Sequence, residues 1–205
     1  MNASFKRLST GLIVLTLLIA GAWFLFRSKG PDPKVIAAAE TRMWQAYYAA
    51  DPLRLRGELV TLLQAQFGLT PADAQGVAQS LSLAAWKFET SRENYESLVL
   101  PDLEAAFGEL KRVTKRSFDP KQAARAELAW WVARRTPGQD SAQQVGQGIG
   151  QVYAILYGQD RPGFAEAGVL RAEAGRLRDQ GGAACDWQQV EALLQRSYRV
   201  LTKAI

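Results

Sequence analysis

The chain has no histidine and a single cysteine, Cys185, among its 205 residues. The first absence excludes Ser-His-Asp and Cys-His catalytic sets, the usual zinc sites and histidine-bearing di-iron bundles. The second excludes an intrachain disulfide framework and any CxxC site. Sustained alternation of β-branched residues is also lacking, so no strand competes with helix. There is no DDxxD pair and no EF-hand loop. Gly146-x-Gly148-x-Gly150 lacks both the lysine and the preceding strand of a phosphate loop. Within a helix each of these glycines costs up to about 1 kcal/mol relative to alanine. Close helix–helix approach through Gly146 and Gly150 is the simplest compensation, and a flexible or ligand-facing kink is the alternative.

What is present suits a packed protein, with 48% hydrophobic and 22% charged residues. The formal charge is +5 and it is uneven. Lys6, Arg7, Arg27, Lys29 and Lys34 stand against Asp32 alone in residues 1–34, so most of the excess flanks one segment. The remainder is near neutral, which argues against nucleic acid as a partner. One basic stretch remains, Lys111, Arg112, Lys115, Arg116, Lys121 and Arg125. It reads as a solvated helix end or as a contact for lipid headgroups or an acidic partner.

Residues Leu8 to Phe26 carry no charge. At 1.5 Å per residue the run spans about 28 Å, close to the roughly 30 Å of a hydrocarbon core. Trp23, Phe24 and Phe26 gather toward one end, as an aromatic belt does. Ala20-Gly21-Ala22 has the form of a signal-peptide cleavage site, but apolar residues continue past it, so an uncleaved anchor is expected. Gly11, Ala20, Gly21 and Ala22 would let another membrane helix approach closely. A short N-terminal tail before such an anchor favours a periplasmic domain on a bacterial inner membrane, while the basic C-terminal flank favours the cytoplasm; the periplasmic placement is adopted here.

The expected organisation is a tail and transmembrane anchor over 1–27, a Gly/Pro linker over 28–34, and an all-α domain over 35–205. Asp32-Pro33, Asp51-Pro52, Thr70-Pro71 and Asp119-Pro120 each pair an N-cap residue with proline at the first helical position. Ser141 with Gln144 and Asp186 with Gln189 resemble capping boxes. These signals predict a compact bundle of about eight helices, near 34–50, 52–67, 71–90, 92–116 (bent at Pro101), 120–135, 142–157, 162–179 and 187–203. Gly68, Gly158 and Gly181-Gly182 fall where helices should stop.

Acids, aromatics and arginines cluster at helical spacing. Glu40 shares a face with Trp44 and Tyr47, and Glu127 with Trp131 and Arg134, while Arg171 and Glu173 lie on the seventh predicted helix. Turned inward, these groups would form an interhelical Glu–Arg network with stacked tryptophan, or a polar-aromatic pocket holding an acid of raised pKa. Glu89, Glu93 and Glu96 form an acidic turn without a metal-binding signature, and no metal or cofactor is expected. Cys185, without a histidine base, is not expected to be catalytic.

The chain resembles a family of uncharacterised bacterial helical proteins. The likeness rests on Glu40-x-x-Met43-Trp44-x-x-Tyr47-Tyr48, Gln66-Phe67-Gly68-Leu69, Ala84-Ala85-x-x-Phe88, Leu100-Pro101, Phe118-Asp119, Glu127-Leu128-x-Trp130-Trp131-x-x-Arg134-Arg135, Leu170-Arg171-Ala172-Glu173-Ala174, Arg178-Asp179 and Asp186-Trp187. It implies no activity and supplies no catalytic residues. The resulting expectation is a membrane-anchored interaction module, an accessory, assembly or stabilising subunit that meets a membrane-protein partner and the bilayer. A binding module for an apolar ligand (lipid, quinone or pigment) between helices is the alternative. An enzyme with Glu40, Glu127 or Glu173 as acid or base, and Arg134 or Arg171 as anion clamp, is a third reading.

Overall fold

The computed structural model describes residues 30–205. All regular structure among them is helical: α1 Pro33–Tyr48, α2 Pro52–Phe67, α3 Pro71–Thr90, α4 Tyr95–Leu98, α5 Leu100–Thr114, α6 Pro120–Arg135, α7 Ala142–Tyr157, α8 Pro162–Gly181 and α9 Trp187–Ala204. A single 3₁₀ turn, Gly182–Ala184, separates the last two. None of these helices is long and apolar enough to cross a membrane. The predicted anchor, with Gly11, Ala20, Gly21 and Ala22, lies outside the described residues.

The helix starts follow their caps. Asp32, Asp51, Thr70, Asp119, Ser141 and Asp186 each accept a hydrogen bond from a backbone N–H of the first turn. Four of these helices begin with proline, which has no N–H to leave orphaned. Gly68 and Gly158 end α2 and α7 in the left-handed conformation, φ +67° and +68°. The expected single helix over 92–116 is instead two, α4 and α5, after an irregular Ser91–Asn94 segment. Asn94 adopts φ +57°, which no helix continues through, and Pro101 cannot donate the hydrogen bond that would join α4 to α5.

Each long helix packs on the long helices before and after it in sequence, and α9 returns to α1. The eight therefore close into an up-and-down ring. Cross-links fix the directions. Arg42 of α1 pairs with Glu58 of α2, Lys87 of α3 with Asp102 of α5, and Ser197 of α9 bonds the Ala167 carbonyl of α8. The C-termini of α1, α3, α6 and α8 thus share one rim.

The tightest seam is α7 against α8. A Cβ on Gly146 would lie 2.5 Å from the Val169 Cα, and one on Gly150 would lie 2.9 Å from the Ala165 Cα. One on Gly168 would lie 2.1 Å from the Gly146 carbonyl oxygen. The glycine row is accordingly a helix-packing surface, with Gly148 turned the other way against Trp130 of α6. The ring as a whole closes around a central space.

Candidate functional site: a lumen inside the helical ring

That space is a cavity of about 710 Å³, to which all eight long helices contribute. Its body is apolar, with Leu55, Leu59, Leu63, Leu81, Phe107 and Ile149 among the residues facing it. Its mouth lies at the rim where α1, α3, α6 and α8 end. There Tyr47, Glu89, Arg92, Arg134, Arg135 and Asp179 line it while remaining partly or fully exposed.

Two ion-pair clusters hold the mouth together. In the first, Arg135 donates to Glu89, to the Tyr47 hydroxyl (3.0 Å) and to the Phe88 carbonyl (2.6 Å), and lies over the Phe88 ring. In the second, Arg134 donates to Asp179 (2.9 Å), to the Tyr48 hydroxyl (2.7 Å) and to the Gly175 carbonyl (3.2 Å). The arginines also satisfy carbonyls at converging helix C-termini, where cations are favoured. Burial raises the Tyr47 phenol above its ordinary range and pushes Tyr48 up to about 12. Both hydroxyls therefore keep their protons at neutral pH and donate to Glu89 and Asp179.

A third cluster lies in the wall. Glu40 is fully buried, and its Oε1 accepts from Arg171 Nε at 2.7 Å. Its Oε2 accepts from the Tyr198 hydroxyl at 2.6 Å. Burial opposes the charge of Arg171, but the Glu40 carboxylate outweighs it and holds the guanidinium charged well above its ordinary range. Burial and the same carboxylate keep Tyr198 protonated. Arg171 also stacks over Trp130, its Cζ 5.2 Å from the ring centroid. Glu40 and Arg171 thus cancel each other inside the protein, the arrangement a buried carboxylate requires.

Glu127 is different. It accepts a hydrogen bond from Trp131 Nε1 at 2.8 Å, and its partly exposed surface opens into the lumen. Burial raises its pKa, and the nearby Arg171 charge offsets this only in part. Tyr153 of the neighbouring α7 also lines the lumen, and burial holds its phenol protonated. Its hydroxyl has no hydrogen-bond partner among the described residues, although only 5% of the residue is exposed.

Of the residues singled out in the sequence, Glu40, Trp44, Tyr47, Glu127, Trp131, Arg134 and Arg171 come together around or behind the lumen. Trp44 sits under the Arg134 guanidinium, with Cζ 5.6 Å from the ring centroid. Glu173 does not join them; it lies exposed on the outer face of α8. Glu40 and Arg171 pair between α1 and α8, while Glu127 faces the lumen beside Trp131. Glu89 belongs to the mouth, bound by Tyr47 and Arg135. Tyr153 and Tyr198 were not foreseen as site residues, and Asp179 was visible only as one of the charged residues clustered on the seventh predicted helix. Tyr198 shows in the sequence only as one of a core stripe on the last helix. Among the described residues no three His, Cys, Asp or Glu side chains gather to hold a metal ion.

The basic stretch sits at the end of the ring away from the mouth. Lys111 and Arg112 occupy the last turn of α5, where Arg112 pairs with Glu109. Arg116 lies over the rings of Tyr157 (4.5 Å) and Phe67 (5.8 Å), where α7 and α2 end. No family model, curated protein or solved structure matches the chain.

Proposed function

We propose that residues 35–205 form a binding module that encloses an apolar small molecule in the lumen of the ring, held at a membrane by the segment Leu8–Phe26. The observation that carries this reading is the size and lining of the cavity. Pockets that enclose small ligands span roughly 300–1,000 Å³, and this one is about 710 Å³. Solvent can enter through the mouth, where charged and hydroxyl side chains receive it, but water in the body of the lumen faces leucine and phenylalanine side chains that offer it no hydrogen bond. An apolar ligand relieves that cost.

The test is titration of the full chain with the apolar fluorophore N-phenyl-1-naphthylamine. The reading expects saturable binding at one site per chain. It expects Ala85→Phe, which builds a ring into the lumen from α3, to weaken that binding at least tenfold while the fold is retained. Non-saturating uptake, or equal binding by Ala85→Phe, contradicts it.

A second reading, the accessory subunit of a membrane complex, is supported by Leu83 and Trp86. These stand one turn apart on the outer face of α3, 44% and 41% exposed. Native sizing after mild extraction tests it; a stoichiometric partner lost on Trp86→Ser supports it, and a lone species opposes it.

A further inference from the structure

A ring attached at a membrane presents one of its two ends to the lipid. Given the attachment through Leu8–Phe26, we propose that the base of the ring, the end away from the mouth, is a docking surface for anionic lipid headgroups. Its contacts are Lys34, Lys111, Lys115, Lys121 and Lys203.

The first observation is the course of charge along the ring. At the base α1, α3, α6 and α8 start and α2, α5, α7 and α9 end. Each long helix can be cut at its midpoint, with each connection counted in the end it bridges. The base half of the described chain then holds eleven lysines and arginines against six acids, and the mouth half nine against twelve. Glu40, Glu127 and Arg171 lie at the level of the cut. A domain near neutral in sum is therefore polarised along its axis, positive at the base and negative at the mouth.

The second is how those charges are spent. In the mouth half, Arg42, Lys87, Arg134 and Arg135 are ion-paired, with Glu58, Asp102, Asp179 and Glu89. Among the described cations of the base half only Arg112 is, with Glu109 and Asp73. Two of the acids there, Asp32 and Asp119, turn their side chains to the backbone as caps of α1 and α6. The five lysines are exposed, on four helices that meet at one end. An ammonium without a carboxylate partner is free to meet a phosphate.

The third is the chain that leads to the base. Phe26 ends the uncharged run, and Pro33, seven residues on, starts α1. Seven residues reach at most about 25 Å when fully extended. Arg27 and Lys29 on that stretch add two cations. A bilayer is thus the anionic surface that the chain itself brings to this end, at a high effective concentration. Attraction to such a surface fades over a Debye length of about 8–10 Å. Docking by the base holds the mouth one helix further out, about 24 Å for the sixteen residues of α1, and open to water.

The experiment reconstitutes the full chain, carrying Cys185→Ser and one new cysteine labelled with bimane. The label sits at the base in Ser117→Cys or beside the mouth in Gln139→Cys, both exposed positions. The vesicles are phosphatidylcholine alone or an equal mixture with phosphatidylglycerol, and a nitroxide on the lipid headgroups serves as short-range quencher. The base label should be quenched in the mixed vesicles and recover in about 1 M NaCl, where the Debye length is about 3 Å. It should be quenched less by phosphatidylcholine, and the mouth label by neither. Each lysine near an anionic surface shifts docking about fivefold, so Lys111→Gln, Lys115→Gln and Lys121→Gln together should shift it about a hundredfold and abolish the quenching. All three are exposed, and unchanged thermal unfolding checks that the fold is kept.

Equal quenching of the base label in both vesicles, or equal quenching of base and mouth labels, overturns the docking surface. So does an unquenched base label together with an acidic protein lost from the triple variant on native sizing, which assigns the base to a protein instead. Flotation in about 1 M NaCl, where screening leaves little surface attraction, separates this inference from the attachment it rests on. A chain that floats with both vesicles yet shows no quenching keeps the attachment and loses the docking surface. A chain that floats only with the mixed vesicles, and only at low salt, keeps the docking surface and loses the attachment through Leu8–Phe26.

Discussion

Replacing a helix glycine by alanine ordinarily stabilises a protein by about 0.5–1 kcal/mol, through backbone entropy and helix propensity. In this ring the sign should reverse from one glycine to another. At Gly57 on α2 an added Cβ meets nothing within 4 Å. Gly57→Ala should therefore stabilise by about 0.5–1 kcal/mol. At Gly146 the same methyl would sit 2.5 Å from Val169 Cα and 2.6 Å from Val169 N, which are backbone atoms of α8. Backbone cannot turn aside as a flexible side chain can, so α7 and α8 must separate along their seam. Overpacking of this kind costs about 1–3 kcal/mol, at times more. Two backbone contacts this short put the site at the upper end of that range, so subtracting the propensity gain leaves Gly146→Ala destabilising by about 2 kcal/mol or more. For a domain of this size each kcal/mol moves Tm by roughly 2–4 °C. Thermal unfolding of the two variants beside the parent should bracket it, Gly57→Ala above and Gly146→Ala below. A Gly146→Ala protein as stable as Gly57→Ala would refute the close α7–α8 approach.

Three further outcomes follow from the buried ionisable groups. Glu40→Ala strands the Arg171 charge, and urea unfolding should show a loss of about 3–5 kcal/mol; adding Arg171→Met should recover most of it, since a buried pair is worth little once both members are gone. Glu127 has a folded pKa raised above the ordinary 4.5, so its contribution to stability is complete below 4.5 and is lost as pH rises through the folded value. Against Glu127→Gln, which does not titrate, the parent should fall behind above pH 4.5 by up to about 1.4 kcal/mol per pH unit until the folded pKa is passed; a pH-independent difference in Tm would contradict the desolvated carboxyl. Tyr153 and Tyr198 are raised by burial above 10, so their contribution is intact below pH 10 and is lost as pH rises through their folded values. Phenolate absorbance from these two should appear only with cooperative alkaline unfolding, and a gradual titration in the folded protein would argue against their burial.

The helix boundaries were readable because they are written locally. Asp-Pro and Thr-Pro pairs, Ser141 with Gln144, and Gly68 and Gly158 each act through groups within four residues, and the structure places caps and stops at them. The late start of α4 at Tyr95 was harder to see, because it depends on Asn94 taking a left-handed conformation that asparagine tolerates but does not announce, whereas the break before α5 falls beside Pro101, where a bend was expected. The inward clustering of Glu40, Glu127 and Arg171 was visible as helical spacing. Their division of roles was not. Glu40 meets Arg171 from a helix 131 residues away in sequence, and nothing in its own neighbourhood distinguishes it from Glu127. Glu173 shows the same limit from the other side, two residues from Arg171 yet rotated onto the outer face. The lumen itself had no local signature. Leucines that line a cavity and leucines that fill a core carry the same periodicity, and only closure of the ring by α9 on α1 separates the two.

Whether the lumen holds a small molecule can be read from native mass spectrometry of the intact protein, gently extracted from membranes of its own host. One non-covalent small-molecule adduct per chain is expected, diminished in Ala85→Phe. A bare chain mass in both proteins, under conditions that preserve a known lipid-binding control, would contradict it.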